Sequence, residues 1–323
     1  RADGARTILA GGNGWIIFQS AGIGATTELG GFTVNSGDMW FVSSSSVFLA
    51  SSGTLTIDGG TLTLQDGANV NAAESSLSGG ANADTIVFGS ASVPSAGSDV
   101  LFASAFDLAA GNDILNFAYG DGILTVSSFS MGTGNDSITF ASAGQIQSAG
   151  TVDLGTGDDT ITFNSAAAGF VGGQIVGTSF DAGDGADTLT FGGGGLINLS
   201  GSNGDFTLGA GNDSITFNST DPNVTNNGGG LINLGTGTFD MGSGNDTVTF
   251  NSGGAITASA ITGGSGTDTI NYNSGVFMTG TTDISTVEAI NVTNAALTLG
   301  GSVTGGAIAL GRAAGGLAPS LPI

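Results

Sequence analysis

Eight aspartates recur in one local context: Asp84, Asp113, Asp136, Asp159, Asp187, Asp213, Asp246 and Asp268. Two chemistries are open to such a set. A series of hard anionic oxygens, accompanied by Asn and main-chain carbonyls, suits calcium, which takes oxygen ligands in a flexible shell. Alternatively, each Asp accepts hydrogen bonds from N–H groups of its own turn and does no more than fix a corner. Catalysis by paired carboxylates is a third use, with Asp158/Asp159 and Asp181/Asp184/Asp187 as the nearest pairs. It fails on pattern: adjacent strand residues face opposite ways, and a catalytic pair would be singular whereas these recur. The chain has no His and no Cys, which excludes Ser–His and Cys–His nucleophiles and imidazole or thiolate metal sites. An enzyme is not expected.

The elements that must position these carboxylates follow from the flanking residues. Aligned on the Asp, the copies read GGANADTIVF, LAAGNDILNF, MGTGNDSITF, LGTGDDTITF, AGDGADTLTF, LGAGNDSITF, MGSGNDTVTF and GGSGTDTINY. Successive Asp are 29, 23, 23, 28, 26, 33 and 22 residues apart. A strict motif at loose spacing means a fixed corner with insertions elsewhere on each turn of the chain. Two residues past the Asp stands an aliphatic, as in Ile86, Leu115, Ile138 and Ile161, and four past it an aromatic, as in Phe88, Phe117, Phe140 and Phe163. A period of two is one face of a strand. Seven residues ahead of the Asp lie Phe106, Phe129, Val152, Phe180, Phe206 and Phe239, with Leu108, Met131, Leu154, Leu208 and Met241 five ahead. These mark a second strand, and GQIQ, GGQIV, GGLINL and GGAIT mark a third. The 61 glycines and the period of two oppose helices. The expected fold class is all-β, a parallel β-helix or β-solenoid with about three short strands per 22–33-residue coil. In it the aromatics stack coil on coil, about 4.8 Å apart. The G-x-G strings precede strands and not helices, so they are not phosphate cradles.

Three regions are expected. Residues 1–78 form N-terminal solenoid coils and a cap or assembly region, 79–274 the Gly–Asp repeat solenoid, and 275–323 the C-terminal coils, cap and tail. End coils must hide or use an open strand edge. Trp15, Ile16, Ile17 and Phe18 in GWIIF, with Trp40 and Phe41 in MWFV, are the candidate assembly contacts.

Composition limits the partners. The net charge is −23, from 26 Asp and Glu against three cations, Arg1, Arg6 and Arg312. That balance excludes nucleic acid and anionic lipid and favours cations. Charged residues are 9% of the chain, against roughly 25% in an ordinary soluble domain, so Ser, Thr, Asn and Gly carry the polar surface. No apolar run is long enough to span a bilayer. No secretion signal is seen, and a start at Arg1 and not Met is what a processed chain is expected to show. An extracellular or cell-surface location is expected, where the absence of Lys and Arg between Arg6 and Arg312 denies trypsin-like proteases a target.

The corner resembles the G-G-x-G-x-D-x-U-x nonapeptide of RTX (repeats-in-toxin) proteins. MGTGNDSIT matches it from the second Gly onward, through Gly132, Gly134, Asp136 and Ile138, with Met131 at the first Gly and one nonapeptide per coil. This resemblance implies calcium at the Asp corners. The layout is also similar to autotransporter passenger β-helices and large bacterial adhesins, where such repeats lead into a segment like STVEAINVTNAALTLGGSV, here 285–303.

The function expected from this architecture is a self-assembling extracellular protein: a filament, sheath or surface-layer subunit whose main partner is itself. Two alternatives stand beside it. One is an adhesin stalk that binds a host or polysaccharide ligand through loops near 218–230. The other is an ice-binding solenoid using Thr-x-Thr pairs such as Thr160/Thr162, Thr188/Thr190 and Thr247/Thr249. N-x-[ST] sequons at Asn135, Asn198, Asn212, Asn218, Asn223, Asn245 and Asn291 permit attached glycans.

Overall fold

A computed structural model describes residues 9–10, 15–19, 29–35, 37–42, 46–64, 69–89, 100–118, 122–142, 144–164, 172–199, 204–218, 229–279, 283–293, 295–299 and 302–311. They form strands, turns and bends, with no helix among them. The chain is an all-β parallel solenoid, and it divides into two compact units, Arg1–Gly155 and Thr156–Ile323.

In the first unit one set of parallel strands comprises Trp15–Gln19, Asp38–Val42, Thr61–Leu64, Thr85–Phe88, Ile114–Phe117 and Ser137–Phe140. Their register is residue for residue: Leu62 pairs Ile86, Ile86 pairs Leu115 and Leu115 pairs Ile138. The opposite wall is built from Leu29–Asn35, Ser46–Asp58, Asn69–Ser78, Val100–Asp107 and Ile123–Ser130. Leu55, Leu77, Phe106, Phe129 and Val152 form one buried column across it. Here the two shorter strands expected of each coil run together as one strand. Ile123–Ser130 shows this directly, since it pairs with both Gln145–Ser148 and Thr151–Asp153. Those two are separated by Ala149 and Gly150, which break the strand between them.

The second unit keeps three strands per coil. The first set runs Thr160–Phe163, Thr188–Phe191, Ser214–Phe217, Thr247–Phe250, Thr269–Tyr272, Ala289–Thr293 and Ala307–Gly311. The second set is Gly173–Val176, Gly195–Asn198, Leu231–Asn233, Gly254–Thr257, Gly275–Thr279 and Ala295–Leu299. Ser179–Asp181, Phe206–Thr207, Thr238–Asp240, Ala260–Thr262, Asp283–Ser285 and Val303–Thr304 complete the third. Adjacent strands within each set are parallel.

The aromatic column predicted from the repeat is present in both units. Phe88, Phe117 and Phe140 stack with ring centroids 4.8 and 4.6 Å apart. In the second unit Phe163, Phe191, Phe217, Phe250 and Tyr272 stack at 5.0, 4.7, 4.9 and 5.3 Å. All are buried. Each such ring removes enough apolar surface from water to contribute about 1.5–3 kcal/mol, and stacking adds about 0.5–1.5 kcal/mol. The glycines of the third-strand motifs follow from these rings. A Cβ on Gly144, Gly173, Gly195, Gly230 or Gly254 would run into the ring of Phe140, Phe163, Phe191, Phe217 or Phe250 respectively.

Candidate functional site

From Asp113 to Asp268 the corner that carries each Asp is made by two left-handed residues, four and two positions before it; the Asp84 corner, with Gly80 and Asn82 at those positions, has neither. Gly132 and Gly134 have φ of +95° and +133°, and Gly242 and Gly244 have +89° and +139°. Only glycine enters that region without steric cost. Space excludes a side chain as well, since a Cβ on Gly134 or Gly244 would overlap the carbonyl oxygen of Gly111 or Gly211 in the preceding coil. In one of these corners the first position is not glycine: Ala109 holds it at φ +67°.

From Asp113 onward this double reversal accompanies the inward turn of the Asp. Asp84, Asp113, Asp136, Asp159, Asp187, Asp213, Asp246 and Asp268 are all buried, none more than 1% exposed. The preceding residue points out, so Asn112, Asn135, Asp158, Asn212 and Asn245 are exposed. The two residues reach in opposite directions along the stack. The Oδ1 of Asn112, Asn212 and Asn245 accepts from the N–H of Asn135, Asn245 and Thr267, one coil later. The buried Asp instead reaches one coil back.

In the first unit Asp113 Oδ1 accepts the Asp84 N–H at 2.6 Å, and Asp136 Oδ1 accepts the Asp113 N–H at 2.6 Å. In the second, Asp187 accepts from Asp159 at 2.8 Å, Asp213 from Asp187 at 2.7 Å, Asp246 from Asp213 at 2.8 Å and Asp268 from Asp246 at 2.9 Å. The bond inside a single turn, which sequence alone suggests, is found at Asp84, whose Oδ2 accepts from Gly80. Elsewhere the carboxylate links consecutive coils. Glu288 extends the series, its Oε2 accepting the Asp268 N–H at 2.7 Å. In the sequence Glu288 is marked by Ile290 two residues on, as at the other corners, and by Val292 where they carry an aromatic.

The second carboxylate oxygen has a different fate. As carboxylates, Asp113, Asp187, Asp213, Asp246 and Asp268 bury an Oδ2 that meets no hydrogen-bond donor. Burial disfavours the ionised form. It pushes Asp113, Asp187, Asp213 and Asp246 up to about 7 and Asp136 up to about 6, and it raises Asp84 and Asp268. The main-chain N–H bonds oppose this shift, and neighbouring carboxylates reinforce it at Asp113, Asp187, Asp213 and Asp246.

The donor chemistry of these corners fits calcium, but the convergence does not. Among the described residues no group of three or more acidic side chains closes on one point. Each corner brings one acidic side chain to the column, with Oδ1 of Asp113, Asp187, Asp213, Asp246 and Asp268 already accepting a main-chain N–H, against the six to eight oxygens that calcium takes.

The other candidate residues lie apart from this column. Trp15–Phe18 stand on a strand paired in register with Asp38–Val42, so that Ile17 faces Trp40 and Phe18 faces Phe41. Trp40 is 37% exposed beside the buried Met39. The side chains of Trp15, Ile16, Ile17, Phe18 and Phe41 lie outside the described residues, as does most of the 218–230 loop with Asn223. The hydroxyl pairs stack in the second unit: Thr160, Thr188, Ser214, Thr247 and Thr269 form one row, and Thr162, Thr190, Thr216 and Thr249 another. Asn251 and Asn273 continue a side-chain amide ladder from Asn218, at 2.7 Å per step.

Among the described residues no helix is long and apolar enough to cross a membrane. Compared with family models, with curated proteins and with solved structures, the chain finds no match.

Proposed function

We propose that this protein is a structural subunit of an extracellular assembly, a filament, sheath or surface layer, that grows by adding copies of itself at strand edges. One observation carries this reading. Among the described residues, the strand sets end on strands with a single neighbour: Trp15–Gln19 pairs only with Asp38–Val42, and Ala307–Gly311 only with Ala289–Thr293. An unpaired edge presents a row of N–H and C=O groups that templates another chain. The internal coils supply the pattern for such a joint, since each adds to the last in parallel and in register. Aromatic Trp15, Phe18, Trp40 and Phe41 lie on the first edge strand and its neighbour, where apolar contact would reinforce the hydrogen bonds. The absence of Lys and Arg between Arg6 and Arg312 suits a subunit exposed to proteases.

Sedimentation velocity over a range of concentrations tests it. The chain should form species that grow with concentration. Ala309→Lys, which places a charge on the last strand, should hold it as a monomer, because edge lysines oppose strand addition. A chain that stays monomeric throughout contradicts the proposal.

The stacked hydroxyl rows favour a second reading, binding to an ordered lattice of water. Thermal hysteresis of the protein solution, lost in Thr190→Lys, would support it. Freezing behaviour equal to that of buffer would remove it.

A further inference from the structure

We propose that protons, and not a metal ion, neutralise the buried aspartates of the corners, a proton being shared where two carboxyls meet, and that the coils loosen when those protons leave.

The argument begins with the oxygens. Asp113, Asp136, Asp187, Asp213, Asp246 and Asp268 use Oδ1 to accept a main-chain N–H from the coil before, a bond that either protonation state can accept. The Oδ2 atoms of Asp113, Asp187, Asp213, Asp246 and Asp268 are buried with no donor in reach. A buried ionised oxygen without a donor is costly, and the group neutralises instead. Protonation turns that oxygen into a donor. At the C-terminal end of the series the partner it then needs is a second carboxyl, because Asp246 is in side-chain contact with Asp268, and Asp268 with Glu288. Two carboxyls in hydrogen-bonding contact need a proton between them.

Among the described residues, the side chains facing these carboxyls are themselves carboxyls. Asp113 faces Asp84 and Asp136, and Asp84 faces Asp58. Asp187 faces Asp158, Asp159 and Asp181, and Asp213 faces Asp187. Asp246 faces Asp213 and Asp268, and Asp268 faces Glu288. Every one of these neighbours is acidic. The only cations of the chain, Arg1, Arg6 and Arg312, lie outside the described residues. Five residues before Asp113, Asp136, Asp159, Asp213 and Asp246 stand Leu108, Met131, Leu154, Leu208 and Met241, which are themselves buried and apolar.

The sign of the pH effect follows. These carboxyls hold protons more tightly folded than unfolded, where Asp titrates near 3.8. Their stabilising contribution is therefore complete below about pH 4. It is lost as pH rises through the folded values of about 6 to 7.

The test is a thermal melt of the whole chain from pH 4.5 to 8.5, once with a chelator and once with calcium, read beside the infrared carboxyl band. The expected result is a Tm that falls as pH rises, equally with chelator and calcium, and a protonated-carboxyl band that persists at pH 6. Asp187→Asn, Asp213→Asn and Asp246→Asn combined should flatten the profile, because Asn keeps the Oδ1 acceptor and places a permanent donor at the second position. Asp213→Asn alone serves if the triple variant does not fold, with a smaller flattening. A Tm that rises with pH, a band showing only ionised carboxylate at pH 6, or stability at neutral pH that appears only on adding calcium would overturn the proposal.

Discussion

At the scale of single residues, the corner is defined by main-chain geometry and by one side-chain oxygen. Asp213→Ala leaves the Asp187 N–H without its acceptor and should destabilise by about 1–3 kcal/mol, measured by chemical denaturation. Gly244→Ala should be worse, costing more than about 3 kcal/mol, since φ is +139° and a Cβ would overlap the Gly211 carbonyl. The corner at Ala109 predicts the reverse. An alanine at φ +67° bears the left-handed penalty of about 1–2 kcal/mol, so Ala109→Gly should stabilise by up to about 1 kcal/mol after the added flexibility of the unfolded chain is subtracted. The position of each Asp was legible in the sequence because the motif repeats. The direction of its hydrogen bond was not. That bond reaches back across 22 to 33 residues to the previous coil, a distance over which local turn chemistry carries no information. Glu288 is faint in the sequence for a related reason: its corner has Ile284 and Thr286 in place of the glycine pair, and only the alternation after it marks it.

At the scale of the strand, alternation decides the fold. Thr, Ile, Thr and Phe of Thr160–Phe163 read half-buried, buried, half-buried and buried, and the pattern returns in Thr188–Phe191, Ser214–Phe217 and Thr247–Phe250. Phe217 lies between Phe191 and Phe250, 4.7 and 4.9 Å from them. Phe217→Ala should therefore cost about 3–5 kcal/mol in denaturant unfolding. Phe217→Leu should cost less, because it leaves a smaller void. The strand after the corner was the most legible element, since aliphatic and aromatic positions recur at fixed offsets. The merged strands of the first unit were not legible. Whether Ser46–Asp58 bends or breaks depends on how it registers with its neighbours, and both Ser46–Asp58 and Asn69–Ser78 shift register along their length. The glycines that open two of the third-strand motifs, Gly173 and Gly195, lie against Phe163 and Phe191. They are packing residues that make room for a ring.

At the scale of the whole chain, two consequences follow from a repeat that always adds the same coil. The first is electrostatic. A chain with a formal charge of −23 stacks its buried carboxyls in columns, and the raised proton affinity of Asp113, Asp187, Asp213 and Asp246 makes folding take up protons. Potentiometric unfolding near pH 5.5 should release protons, and this release should fall in the triple Asn variant. The second is assembly. Parallel addition in register continues along each unit until the terminal strand edges, and a further copy of the chain is the partner that matches such an edge. The measurement that tests this account most directly is X-ray diffraction from aligned assemblies of the purified protein. Coil-on-coil growth predicts a sharp reflection near 4.8 Å along the assembly axis, the strand spacing continued across each joint. A 4.8 Å reflection lying across that axis, or a protein that forms no ordered assembly to align, would contradict it.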